Sequence, residues 1–172
     1  MKKVFNMPVF CFFFSILTGI IYFLKLGISE QFFEFSIIQI FLIILSFEDL
    51  KTKMISDKFI LCILVVSVVF RIISFGIVET LNGIMTATFI VLVILLIRKV
   101  FKQNIGIGDL KLLAVLSLSY GYAGMINVLF YSVIIAMLYS IVMIVLKKKN
   151  KHSEIAFVPF ISVGCFLTIL GV

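Results

Sequence analysis

Seven apolar runs separated by short polar breaks set the plan of the chain. The first extends from about Val4 to Leu24, behind Lys2 and Lys3. It is longer than the ~7–15-residue core of a cleaved signal peptide and has no convincing small-x-small cleavage site, so it predicts a retained helix. A polar stretch from Lys25 to Glu34 follows. The second run, about Phe35 to Phe47 with a start as early as Phe32, stops at Glu48-Asp49-Leu50-Lys51-Thr52-Lys53. The third covers about Phe59 to Ile77, and the fourth about Leu81 to Ile97, ending at Arg98-Lys99. After a loop from Val100 to Gly108, a fifth helix starts near Asp109 and fades at Tyr120-Gly121-Tyr122. The sixth covers about Ile126 to Leu146, and the basic loop Lys147 to Glu154 leads to the last, about Ile155 to Leu170. Long apolar runs without strict alternation read as helices, not strands.

Composition turns these helices into membrane helices. Of 172 residues 63% are hydrophobic and 13% charged, with a mean hydropathy of +1.33. Soluble domains have about 45–50% apolar and about 25% charged residues. Twenty phenylalanines without a tryptophan add apolar bulk, not polar recognition. At about 20 residues per crossing, the length predicts one all-α domain over residues 1–172, a polytopic bundle of six to seven transmembrane helices. Cys11, Cys62 and Cys165 lie inside apolar runs with no CxxC spacing, which argues against a disulfide scaffold or zinc site.

The net charge of +7 would suit nucleic acid, but the basic residues fall between apolar runs and read as topology signals. With the N-terminus cytoplasmic, thirteen of the fifteen basic residues lie inside and only Lys25 and Arg71 fall outside. The predicted arrangement is therefore N-terminus in and C-terminus out. Tyr22, Tyr120 and Tyr122 then lie near the outer interface, and Arg71 snorkels toward it. The Lys147–Lys151 cluster anchors the inner face near anionic lipid, with His152 solvated in the same loop. A lipid bilayer is the expected partner; nucleic acid is not.

Four of the eight acids read as solvated loop charges: Glu30, Glu34 and Glu79 outside, Glu154 beside the basic loop. Glu48, Asp49, Asp57 and Asp109 remain, at the cytoplasmic face. Two crossings separate Asp49 from Asp109, an even number, so both lie at one membrane face. Asp49 closes the second helix and Asp109 opens the fifth. A carboxylate at a lipid boundary costs several kcal/mol unless paired or hydrated, and two at one depth point to a shared polar site. Helix capping is the competing role, above all for Asp109.

Gly106-x-Gly108-Asp109, continued by Leu110-Lys111-Leu112-Leu113, resembles the GxGD motif of intramembrane aspartyl proteases, most closely the type IV prepilin peptidase family. Asp49-Leu50-Lys51-Thr52-Lys53-Met54-Ile55 resembles that family's upstream Asp and basic stretch, with Ser56 where the family has Pro. Ile155-Ala156-Phe157-Val158-Pro159-Phe160 is similar to its Pro-Phe-x-Pro-Phe entry into the last helix, with Ala156 for the first Pro. The resemblance spans about residues 35–170.

The resemblance implies an aspartic endopeptidase of the bacterial cytoplasmic membrane. Its catalytic pair would be Asp49 and Asp109, and its substrate the basic leader of a type IV pilin-like precursor. No cofactor or metal is expected. Two carboxylates about 3 Å apart cannot both ionise, so one remains an acid while the other activates water. Helix dipoles alone favour the anion on Asp109, at a helix start, and the acid on Asp49, at a helix end. Gly106 and Gly108 tolerate positive φ and admit a close backbone, either to receive an extended substrate or simply to turn into the fifth helix. Lys51 and Lys111 each follow an aspartate by two, a spacing that points side chains apart on a helix. Topology is therefore their first role; tuning the pair electrostatically is the alternative for both, and positioning the loop a further one for Lys111. Glu48 and Asp57 are spare acids. With no CxxC-bearing cytosolic domain, methyl transfer is not expected. A proton-coupled transporter and a non-catalytic scaffold for pilus assembly or secretion are the rival readings.

Overall fold

The computed structural model describes residues 7–101, 106–146 and 156–171. Lys2, Lys3, Lys102, Lys147–Lys149, Lys151, His152 and Glu154 lie outside the described residues, as do the side chains of Cys11, Glu79 and Arg98. The elements are α1 (Met7–Leu26), α2 (Glu30–Thr52), α3 (Asp57–Phe101), α4 (Ile107–Val145) and α5 (Val158–Leu170), with no strand among the described residues.

The α1–α2 link is shorter than its polar sequence predicts. Gly27 takes φ 63°, and the Ser29 side chain accepts from the Phe32 amide, so α2 begins at Glu30. Serine suits this cap because its hydroxyl satisfies an amide the first turn leaves free. At the other end Lys53 closes α2 at φ 53°, its N–H donating to the Asp49 carbonyl at 2.9 Å.

Two elements each contain a pair of predicted helices. α3 is broken at Gly76 (φ 80°) and α4 at Gly121 (φ 63°); positive φ is nearly free for glycine and strained for other residues. Both fold back at the break. A Cβ on Gly83 would lie 2.7 Å from Arg71 Nε, although twelve residues of straight helix would separate them by about 18 Å. Tyr139 stacks on Phe160 at 5.4 Å, in the α5 turn that also meets Asp49. Thirty straight residues would carry it about 45 Å from Asp109. The five elements thus amount to seven helical stretches, with breaks where the third and fifth apolar runs end.

The core joins Ile38, Leu42 and Leu45 of α2 to Ile60 and Ile63 of α3, Leu112, Leu116 and Val128 of α4, and Val158, Ile161 and Cys165 of α5. α5 packs on both α2 and α4. Outward, Leu24, Ile77, Val78, Met85 and Val145 are each more than two-thirds exposed, a distribution lipid accepts and water does not. Two helices, Asp57–Val78 and Ile107–Val145, are long and apolar enough to cross a membrane; Phe13–Leu26, Thr80–Val93 and Val158–Leu170 are shorter apolar stretches.

Three sequence expectations are corrected here. Glu34 belongs to α2 and is buried, not solvated in a loop. Tyr22 is fully buried; its hydroxyl donates to Gln39 Oε1 at 3.3 Å, while Gln39 Nε2 donates to Ser162 Oγ at 3.0 Å. Tyr120 stacks on Phe35 at 5.0 Å, half-buried, while Tyr122 is exposed as expected. Arg71 turns inward, not outward: its guanidinium donates to the Leu118 carbonyl, and its charge acts on Glu34. The break at Gly121 deprives that carbonyl of its helical partner, and Arg71 replaces it.

Candidate active site

At one end of the bundle a pocket of about 360 Å³ opens between the last turn of α2, the α2–α3 loop and the first turn of α4. Asp49 and Asp109 both line it. Residues sixty positions apart in sequence meet because α3 folds back at Gly76 and returns the chain to the same end. Lys111, two residues into the helix from Asp109, is half exposed and charged, so this first turn lies outside the apolar stretch of α4. Asp49 lies past the apolar run of α2.

The two carboxylates have different surroundings. Asp49 is 5% exposed, and the Val158 amide at the start of α5 donates to its Oδ2 at 3.0 Å. Burial lifts its carboxyl above the ordinary carboxylate range, while the Val158 and Phe157 amides pull it back. Asp109 is half-buried. Burial first, and then the neighbouring Asp49 charge, push its carboxyl up to about 6. One group poised near neutrality beside a like-charged partner is the arrangement that acid–base chemistry by a carboxyl pair requires.

The glycines are explained by space. Gly106 and Gly108 are not among the positive-φ residues, so of the two expected uses of glycine, positive φ falls away and close approach remains. A Cβ on Gly106 would lie 3.0 Å from Asp109 Oδ2, and one on Gly108 would lie 3.1–3.3 Å from the Ile55 side chain. Ile55 therefore rests on the first turn of α4 and ties the α2–α3 loop to it.

Lys111 points away from Asp109, as its spacing predicts, and donates to both Asp57 oxygens at 2.8 and 2.9 Å across the pocket rim. Asp57, a spare acid in sequence, is thus an exposed rim group. Glu48 is not in the pocket lining and keeps one buried carboxylate oxygen without a partner among the described residues. Sequence reasoning missed two contributors, the Ile55 wedge and the Val158 amide. The Val-Pro start of the last helix was visible, but a backbone donor leaves no side-chain signature.

Comparison with curated proteins and with solved structures returned no match. Residues 36–141 match the type IV leader peptidase family. That span covers more than half the chain and holds both aspartates, the Gly106–Asp109 motif, Ile55 and the Asp57–Lys111 pair. On that match, the chain belongs to the type IV leader peptidase family.

Proposed function

We propose that the chain is an intramembrane aspartyl endopeptidase. It cuts the basic leader of a type IV pilin-like precursor at the cytoplasmic face of the bacterial cytoplasmic membrane. The observation that carries this reading is the convergence of Asp49 and Asp109 in one pocket at the polar ends of α2 and α4. The chain crosses seven times with its N-terminus inside, as the thirteen-to-two distribution of basic residues favours. Lys53 and Lys111 at the pocket support the inner, basic side as its location.

The chemistry needs one carboxylate and one carboxylic acid. The carboxylate takes a proton from water as the water oxygen bonds to the scissile carbonyl carbon, and the acid protonates the carbonyl oxygen. In the neutral tetrahedral species the roles then reverse. The first aspartate returns its proton to the amide nitrogen, the second removes one from a hydroxyl, and the C–N bond breaks. Water is consumed and the pair returns to its starting protonation. A proton-relay transporter would instead place its acids near mid-membrane, whereas both aspartates here lie at helix ends.

Co-expression with a pilin-like precursor tests the reading. Wild type should produce a shortened precursor on a gel. Asp49→Asn and Asp109→Asn should each abolish the shift, with the protein still folded in detergent. Full cleavage by either variant overturns the assignment. Incubation of the protein with S-adenosylmethionine and cut precursor should transfer no methyl group.

A further inference from the structure

We propose that the N-terminus of α5 selects Asp49 as the general base of the pair, with Val158 as the positioning residue and Asp109 as the proton-holding acid. The inference rests on the peptidase reading for the word "base", but the protonation pattern can be read without turnover.

Among the described residues α5 has no side-chain cap of its own. Its N-cap residue, Phe157, makes no side-chain cap hydrogen bond, and Pro159 brings no N–H to the first turn. The Phe160 and Ile161 amides turn back to the Phe157 carbonyl at 3.0 and 3.2 Å. Within α5 the Val158 amide is left to point out of the helix and donates to Asp49 Oδ2 at 3.0 Å, and the Phe157 amide at the cap position acts on the same carboxyl. A carboxylate from α2 therefore performs the capping that α5 lacks. Both the amide and the aligned dipoles behind it favour the ionised form.

This contact is held from two sides. A Cβ on Gly164 would lie 2.2 Å from Ser132 Oγ and 2.7 Å from the Val128 carbonyl, so α5 touches the second half of α4 almost backbone to backbone. On the opposite side Gln39 Nε2 donates to the Ser162 carbonyl at 3.3 Å and hydroxyl at 3.0 Å. α5 cannot slide along its axis without breaking one of these contacts, and its first amide stays aimed at Asp49.

The other charged groups near Asp49 do not decide the matter. Within the pocket they are Lys53 of the α2–α3 loop, Asp57 of α3, and Asp109 and Lys111 of α4. Asp57 and Lys111 neutralise each other. α5 carries no charged side chain, and Glu48 and Lys51, on α2 itself, lie outside the pocket lining. Among the described residues no hydrogen-bond donor reaches the Asp109 carboxyl. Only one of two adjacent carboxylates can ionise cheaply, and the charge settles where the amide is. This reverses the assignment that follows from the dipoles of α2 and α4 alone.

The test removes the Val158 N–H and keeps the Phe157 amide; because a proline at 158 also disfavours the αR backbone of Phe157, circular dichroism in the same micelles checks that the helices are retained. Proline is tolerated in the first turn of a helix, so Val158→Pro deletes the donor, while Val158→Ala trims the side chain and keeps it. Isotope-edited infrared titration of the full chain in detergent micelles, read as the difference from Asp49→Asn, follows the Asp49 carboxylate directly. In wild type Asp49 should ionise at lower pH than Asp109. Val158→Pro should raise its midpoint by about one pH unit, the scale of one hydrogen bond to a charged group, and Val158→Ala should leave it in place. The acidic limb of kcat/KM should move up with it. Equal shifts in both variants, no shift in Val158→Pro, or a wild-type Asp109 that ionises first overturns the proposal. A protein that titrates as expected yet cuts no precursor overturns the peptidase reading alone.

Discussion

Around Asp109 the fit is tight enough for single atoms to matter. Gly108→Ala would set a methyl 3.1 Å from Ile55 Cβ, closer than packed carbons rest. Over-packing of this kind costs typically ~1–3 kcal/mol. Expected outcomes are a lower melting temperature in micelles and reduced cleavage, with Ile55→Ala on the Gly108→Ala background recovering part of both. If the double variant is as impaired as the sum of its parts, the contact does not tie the loop to α4. Asp109 itself predicts a pH dependence. Its folded value of about 6 lies above the ordinary carboxylate value, so the folded state binds the proton more tightly than the unfolded chain. Its contribution to stability is fully present below about pH 4 and is lost as pH rises through about 6. Two pH units correspond nominally to ~3 kcal/mol; partial solvent screening reduces this to about 1–2 kcal/mol. Unfolding midpoints should therefore fall between pH 4 and 6.5, and Asp109→Asn should flatten that slope. Wild-type cleavage should decline above about pH 6 as the acid loses its proton.

Helices meet here through breaks and caps as much as through apolar faces. Gly76 and Gly121 combine φ of 80° and 63° with extended ψ; alanine there should cost about 1–3 kcal/mol in strain alone, measurable as a lowered unfolding midpoint. Arg71 completes the second break by donating to the Leu118 carbonyl. Arg71→Ala leaves that carbonyl without its donor and removes the charge facing Glu34, at an expected cost of about 2–3 kcal/mol. The same substitution should leave the Asp49 titration unmoved, because Glu34 and Asp49 lie at opposite ends of α2. The hydrophobic pattern shows these helices plainly: the third and fifth runs end within a few residues of Gly76 and Gly121. It did not show that Glu34 lies inside α2, because a polar stretch looks the same whether its charges face water or a neighbouring arginine.

At the scale of the whole molecule, apolar side chains cover the outside and the polar groups gather within. The Tyr22–Gln39–Ser162 chain ties α1, α2 and α5 together, Ser119 Oγ donates to Ser67 Oγ at 2.8 Å between α4 and α3, and the aspartates share the pocket. Lipid supplies no hydrogen bonds, so polar side chains between helices must find one another. The sequence by itself determined the helical class, the membrane as solvent, and the two aspartates at one face. These follow from local periodicity, composition and the parity of crossings, none of which needs a contact between distant residues. Tertiary structure decided what those aspartates touch. The Val158 amide reaches Asp49 across 109 positions of chain, and Ile55 meets Gly108 only once α3 has folded back at Gly76. Protonation depends on burial and on the direction of a few N–H groups, and those exist only after the helices have packed.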